Sequence, residues 1–275
     1  MRINAYIRGN GRRIEKTQNG KEIMMEHKKV KEPVRAGMKV RLYNSFTETS
    51  DVFEDQVMAL GNLSGGMIRS GKETVVVELA KRIITEAVKE TPGLTVSKLE
   101  FEERKKVDIP FSNCDYFNVV SETIGNNIID NLEEHSITIE IDLAVFYAGT
   151  LVLAIELKAF TDLTMFRRLA FDFHTLKRVY PTVKYVLIQL ENSLGGDYAQ
   201  DVPEHLGSPG VHSVLAEVNL PMTIITLLNG KRSSQKAIHM PGCFKGLNKI
   251  KFRNAVNTIS TLLVTQTKRK HINFL

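Results

Sequence analysis

Two consecutive apolar segments near the middle of the chain carry acidic residues where a half-buried strand normally carries none. Residues 137–147 run Ile-Thr-Ile-Glu-Ile-Asp-Leu-Ala-Val-Phe-Tyr, and residues 151–160 run Leu-Val-Leu-Ala-Ile-Glu-Leu-Lys-Ala-Phe. Apolar strand patterning on both sides of Ala148 and Gly149 predicts a β-hairpin with a loop at 148–150. Side chains two apart share a strand face, so Glu140 lies with Asp142, and Glu156 with Lys158. A three-residue loop sets Tyr147 across from Leu151 and Asp142 across from Glu156, with Cβ atoms roughly 4.5–5.5 Å apart. A carboxylate in such a run is costly unless it is paired or binds a cation. Two carboxylates at that spacing can share a divalent cation. Oxygen ligands with open water positions suit Mg²⁺. Lys158, one pleat along, then reaches a phosphate or a nucleophilic water. The competing interpretation is a cross-strand salt bridge on an exposed sheet face, with Glu140 the more ordinary partner for a lysine.

The remaining pattern sets this hairpin in an α/β fold. A helix is expected from Glu73 to Lys89, ended by Pro92-Gly93, after a loop at 61–71. A strand is expected over 94–101, and residues 102–135 show no usable pattern. After the hairpin, Thr161 or Asp162 caps a helix that runs to Val179 and stops at Tyr180-Pro181. A strand over 183–190, a Gly/Pro-rich loop over 195–210, a strand over 222–228 and a helix over 248–265 follow. The strand–helix–strand unit from 151 to 190 is long enough for a parallel crossover, while the hairpin is antiparallel. Together they predict a mixed β-sheet flanked by helices. Residues 1–41 are expected to be a basic arm with a short hairpin at Asn19-Gly20. Residues 42–217 form the core domain, and 218–275 a basic strand and helix packed on it.

Charge is unevenly placed. Residues 1–41 hold 12 basic and 4 acidic residues, and residues 218–275 hold 10 basic residues and no acid; 42–217 carries a net −12 beneath the overall +6. Basic ends around an acidic centre fit a polyanion binder with a cation-holding site. No apolar run approaches the ~18 residues of a membrane span. The N-terminus lacks a signal-peptide core, and the two cysteines, Cys114 and Cys243, show no metal-type spacing. A reduced, cytoplasmic protein without membrane contact is expected.

Asp142, thirteen residues, then Glu156-Leu157-Lys158 on a hairpin followed by helix and strand resembles the PD-(D/E)xK nuclease superfamily, above all type II restriction endonucleases. The resemblance spans residues 73–190 and implies an αβββαβ core. Ile141 stands where the motif has proline. By the resemblance, Asp142 and Glu156 bind Mg²⁺ with the Leu157 carbonyl, and Lys158 orients or activates the attacking water. It implies hydrolysis of double-stranded DNA at a specific, palindromic site by a homodimer, leaving 5′-phosphate and 3′-hydroxyl ends. A repair or junction-cleaving nuclease of the same fold and a non-catalytic DNA-binding protein are the alternatives.

Other residues are weaker candidates. Arg69 and Lys72 could touch backbone phosphate at a loop–helix junction. Arg167 and Arg168 lie early on the helix after the motif and either face DNA or solvent. Glu78 is a candidate helix acid, yet Lys81 and Arg82 follow at the spacing of an exposed pair. Gly66, Gly71 and Lys72 imitate a phosphate-binding loop, but Glu73 stands where a magnesium-binding hydroxyl would be needed.

Overall fold

The computed structural model describes residues 14–16, 22–24, 33–61, 65–111, 114–202, 206–233, 235–240 and 242–272. The chain divides into two compact units, Met1–Arg41 and Leu42–Leu275. The first contains strands β1 (Ile14–Lys16) and β2 (Glu22–Met24), paired antiparallel with Ile14 opposite Met24. The expected Asn19-Gly20 turn lies outside the described residues.

The second unit is built on a five-stranded mixed sheet. Its strands are β3 (Leu99–Pro110), β4 (Ser136–Tyr147), β5 (Thr150–Asp162), β6 (Lys184–Ser193) and β7 (Met222–Thr226), in that spatial order. β3, β4 and β5 form an antiparallel meander, while β5, β6 and β7 run parallel. Helices α1 (Pro33–Leu60), α2 (Gly65–Glu90) and α6 (Lys249–Ile272) contribute to one apolar core, where Phe53, Ile83 and Ile259 meet Leu153, Ile155 and Val186. Helices α4 (Leu163–Val179) and α5 (Pro209–Glu217) serve the other, where Phe166, Phe173 and Val211 meet Ile141, Ala154 and Leu187. The short helix α3 (Glu122–Asp130) joins β3 to β4. Neighbouring residues of β5 feed opposite cores, as strand alternation requires. The expected mixed sheet flanked by helices is present. β7 and the described part of α6 from Lys249 belong to the same unit as the rest of the sheet.

Several boundaries differ from the sequence expectation. Helix α2 begins at Gly65 rather than Glu73, which turns most of the expected 61–71 loop into helix. Gly71 serves close packing there, because a Cβ at that position would run into the Leu60 side chain. The strand expected over 94–101 occupies 99–110 instead. β3 is an edge strand, so Glu100, Glu102 and Lys106 pair without a second apolar face, which hides the strand pattern. Such charged edges also resist pairing with other chains. Helix α5 occupies the end of the expected 195–210 loop and continues to Glu217, with Ser208 accepting the Val211 N–H as its cap. The α4 boundaries match: the Asp162 carboxylate accepts the Met165 N–H at 2.8 Å, and the helix ends at Val179 before Tyr180-Pro181. Among the described residues, no helix is long and apolar enough to cross a membrane.

Candidate active site

The hairpin turn fixes the register of the acids. Ala148 (φ 49°) and Gly149 (φ 70°) form a two-residue turn, and the strands pair from Tyr147 opposite Thr150 to Leu143 opposite Ile155. The expected three-residue loop is therefore replaced by a tighter turn. A register shift between Val145 and Phe146 adds the missing residue on β5. The two devices give the same offset beyond the shift, so continuing the ladder one step past Leu143 sets Asp142 across from Glu156.

Beyond that step the sheet forks. β4 continues against β3 as far as Ser136 opposite Pro110, while β5 continues against β6 as far as Asp162 opposite Ser193. The backbone N–H of Leu157 finds its acceptor in a side chain, the Asp142 Oδ2, at 2.9 Å. Lys158 Nζ lies 3.1 Å from the same oxygen and 2.5 Å from Glu156 Oε1. The three groups thus converge at the fork, and they line a cavity of about 870 Å³.

Electrostatics at the fork favour an added cation. Burial, then the Asp142 charge, pushes the Glu156 carboxyl up to about 7 even though Lys158 opposes both. Burial works against the Lys158 ammonium, but the charges of Glu156 and Asp142 outweigh it and hold the group above its ordinary range. One ammonium therefore leaves the carboxylate pair short of positive charge. Among the described residues, no group of three or more His, Cys, Asp and Glu side chains is gathered as a metal cluster. The donors on offer are two carboxylates and the nearby backbone carbonyl of Leu157. Hard oxygen donors and an uncompensated negative charge fit a divalent cation that keeps several waters.

The chain is similar to a type II restriction enzyme. It is 29% identical over 208 residues to Type II restriction enzyme DdeI of Desulfomicrobium norvegicum, covering 75% of this chain and 86% of that protein. A solved structure described as native BbvCI A2B2 tetramer at low resolution aligns with 86% of this chain and 93% of its own, at a TM-score of 0.34 and 11% identity. No protein-family model matches the chain.

The weaker candidates separate in space. Lys72 lines the cavity, half-buried, and burial lowers its ammonium below the usual range. The Arg69 side chain lies outside the described residues. Arg168 lines the cavity from α4 and points largely to solvent, 3.9 Å from Asp172; Arg167 is exposed and is not part of the cavity wall. Glu78 makes the surface pair its spacing suggested, 3.4 Å from Lys81, which also meets Glu103 at 2.5 Å. Glu140 lines the cavity and pairs with Arg104 at 3.1 Å. Arg104 is left-handed (φ 53°), and the β3–β4 ladder skips its step beside Asp142.

Several cavity residues escaped the sequence pattern, Glu73 and Arg232 among them. Glu73 faces the cavity from α2, a position hidden while the helix was expected to start there. Arg232 arrives from the C-terminal segment after β7 and stacks on Phe160. The basic excess of residues 218–275 was its only sequence signal.

Proposed function

We propose that this chain is a Mg²⁺-dependent type II restriction endonuclease of the PD-(D/E)xK superfamily. It hydrolyses double-stranded DNA at a specific, palindromic site as a homodimer, leaving 5′-phosphate and 3′-hydroxyl ends. The observation that carries this reading is the convergence of Asp142, Glu156 and Lys158 where β4 and β5 part, in a chain similar to a restriction enzyme over most of both lengths. That likeness supports a site-specific deoxyribonuclease; the metal, the product ends and the two-fold assembly are our extension of it. The same reading makes residues 1–41 a basic N-terminal arm and 42–217 the nuclease core, with 218–275 adding a basic strand and helix to that core.

Asp142, Glu156 and the Leu157 carbonyl would hold Mg²⁺, which supplies Lewis-acid stabilisation of phosphate charge and a lowered pKa for water. Asp142 also accepts the Leu157 N–H at 2.9 Å, which ties the acid to β5 at the residue whose carbonyl would join the ligand set. Lys158 Nζ turns from its carboxylate partners to a phosphate oxygen or the attacking water and stabilises the charge that develops there. Glu156, with its carboxyl pushed up to about 7, would have to be ionised to serve as a ligand of that cation. Arg69, Lys72, Arg167 and Arg168 supply phosphate contacts that set the duplex in register.

Incubation with phage DNA and Mg²⁺ tests the reading. The wild-type chain should give discrete bands. Asp142→Ala should lose at least about a hundredfold of the cleavage rate, the scale of a lost transition-state contact, while retaining DNA binding. Wild-type turnover by Asp142→Ala would remove the assignment. The 2.5 and 3.1 Å contacts of Lys158 also suit a structural ion pair in a non-catalytic DNA-binding protein. Calorimetric titration with Mg²⁺ or Ca²⁺ decides between them, since such a pair has no reason to bind either.

A further inference from the structure

The face of β5 that carries Glu156 and Lys158 carries Phe160 next, about 6.8 Å further along the strand. The Arg232 guanidinium lies over that ring, 3.2 Å from its centroid. Its backbone is held as well. The Arg232 N–H donates to the Asn192 carbonyl at 3.0 Å, and Lys231 bridges Asn192 in parallel register near the end of β6. Lys245 Nζ donates to the Lys231 carbonyl at 3.0 Å and to the buried Glu191 carboxylate at 2.5 Å. Glu191 is thereby committed to Lys245. The guanidinium is positioned by a ring and a backbone, which leaves its planar fork of donors available to an outside acceptor.

Lys72 lines the same cavity from α2. Burial, the largest influence, and the nearby Arg232 charge depress its ammonium, while Glu191 opposes them. Bringing two cations together at a half-buried wall costs free energy in the isolated protein. That cost is relieved when a polyanion enters between them. Through its stack on Phe160, Arg232 lies about one strand repeat (~6.8 Å) beyond Lys158 along β5, a separation on the scale of neighbouring phosphates of one strand, and Lys72 lines the same cavity.

We propose that Arg232, braced on Phe160, and Lys72 grip the DNA phosphate adjacent to the one held at Lys158. The inference rests on the nuclease reading and adds to it a second phosphate subsite, contributed by the C-terminal basic segment. Arg232 is a positioning residue: it fixes the strand on one side of the scissile bond and does not touch the reacting atoms.

The test is equilibrium binding of a short, labelled duplex of arbitrary sequence, measured against salt in the Asp142→Ala background. Arg232→Ala should weaken binding roughly tenfold at low salt. It should also flatten the log–log salt slope by about 0.9, the signature of one lost phosphate contact. Arg232→Lys should restore the slope, and Phe160→Leu should weaken binding with the slope kept. Lys236→Ala removes an exposed charge from the same segment outside the cavity and should leave the slope unchanged. An unchanged slope in Arg232→Ala, or an equal loss in Lys236→Ala, would overturn the subsite and leave the nuclease reading standing. Cleavage by the Asp142→Ala background at the wild-type rate would instead defeat the site assignment on which the inference rests.

Discussion

Two lysines drawn into the protein show how differently one ammonium can be used. Lys251 is 3% exposed and donates to two backbone carbonyls, Tyr198 at 3.1 Å and Leu228 at 3.0 Å. Burial pulls it down to about 8, with Asp201 only partly opposing the shift. Lys158 sits at an open cavity between two carboxylates, and their charges keep it above the ordinary range. Lys251 is a tie: its hydrogen bonds join the loop after β6 to the segment after β7, and it faces no solvent in which to do chemistry. Lys158 is held by carboxylates that our proposal gives to a cation, where β4 and β5 part. Burial marks both residues; only the nature of the partners separates structure from candidate function.

The sharpest way to break that contrast is to remove each ammonium. Lys158→Met should cut single-turnover DNA cleavage by about a hundredfold or more, the scale of a lost transition-state donor. Its melting temperature should then depend more steeply on added Mg²⁺ than that of the wild type, because the ion replaces the missing positive charge. Cleavage at the wild-type rate would place Lys158 with Lys251 among structural groups. Lys251→Met should do the reverse. Two buried carbonyls lose their donor, for a net cost of about 2 kcal/mol, read as a lower denaturation midpoint with cleavage per folded molecule unchanged. A stable Lys251→Met variant with poor cleavage would overturn the assignment of roles.

The site trio was legible because it violates a rule: acids and a lysine interrupt two runs that are otherwise apolar. An expected three-residue loop placed Asp142 across from Glu156; the actual turn is one residue shorter, and the register shift between Val145 and Phe146 restores the same offset. The α4 cap at Asp162 was equally local. Helix α1 was legible and missed, since Leu42, Phe46, Phe53, Val57 and Leu60 carry helical spacing and several of them enter the core. β3 was legible only at its start, Leu99 to Phe101, because an edge strand with charges on its outer side shows no clean period beyond that. Glu73 and Arg232 depend on tertiary facts. One enters the cavity because α2 starts eight residues before it. The other does so because a bridge from Asn192 to Lys231 carries the C-terminal segment past Phe160. No local pattern encodes either event.

The smallest expected effects are two pH slopes of opposite sign. A folded-state carboxyl near 7, against an ordinary value of 4.5, means that folded Glu156 keeps its proton over a range where the unfolded chain has lost it. Stability of the metal-free protein should therefore fall as pH rises from about 4.5 to 7 on account of this group. For Lys251 the unfolded chain holds the proton up to 10.5 while the folded protein releases it near 8. Its contribution should rise with pH across that interval. Urea midpoints of wild type, Glu156→Gln and Lys251→Met, measured across both windows in chelator, isolate the two terms. Glu156→Gln should flatten only the acidic slope and Lys251→Met only the alkaline one. If Glu156→Gln left the acidic slope intact, the Glu156 carboxyl would already be ionised at low pH. Lys158 alone would then satisfy the carboxylate pair, and the electrostatic reason for a divalent cation at the fork would be gone.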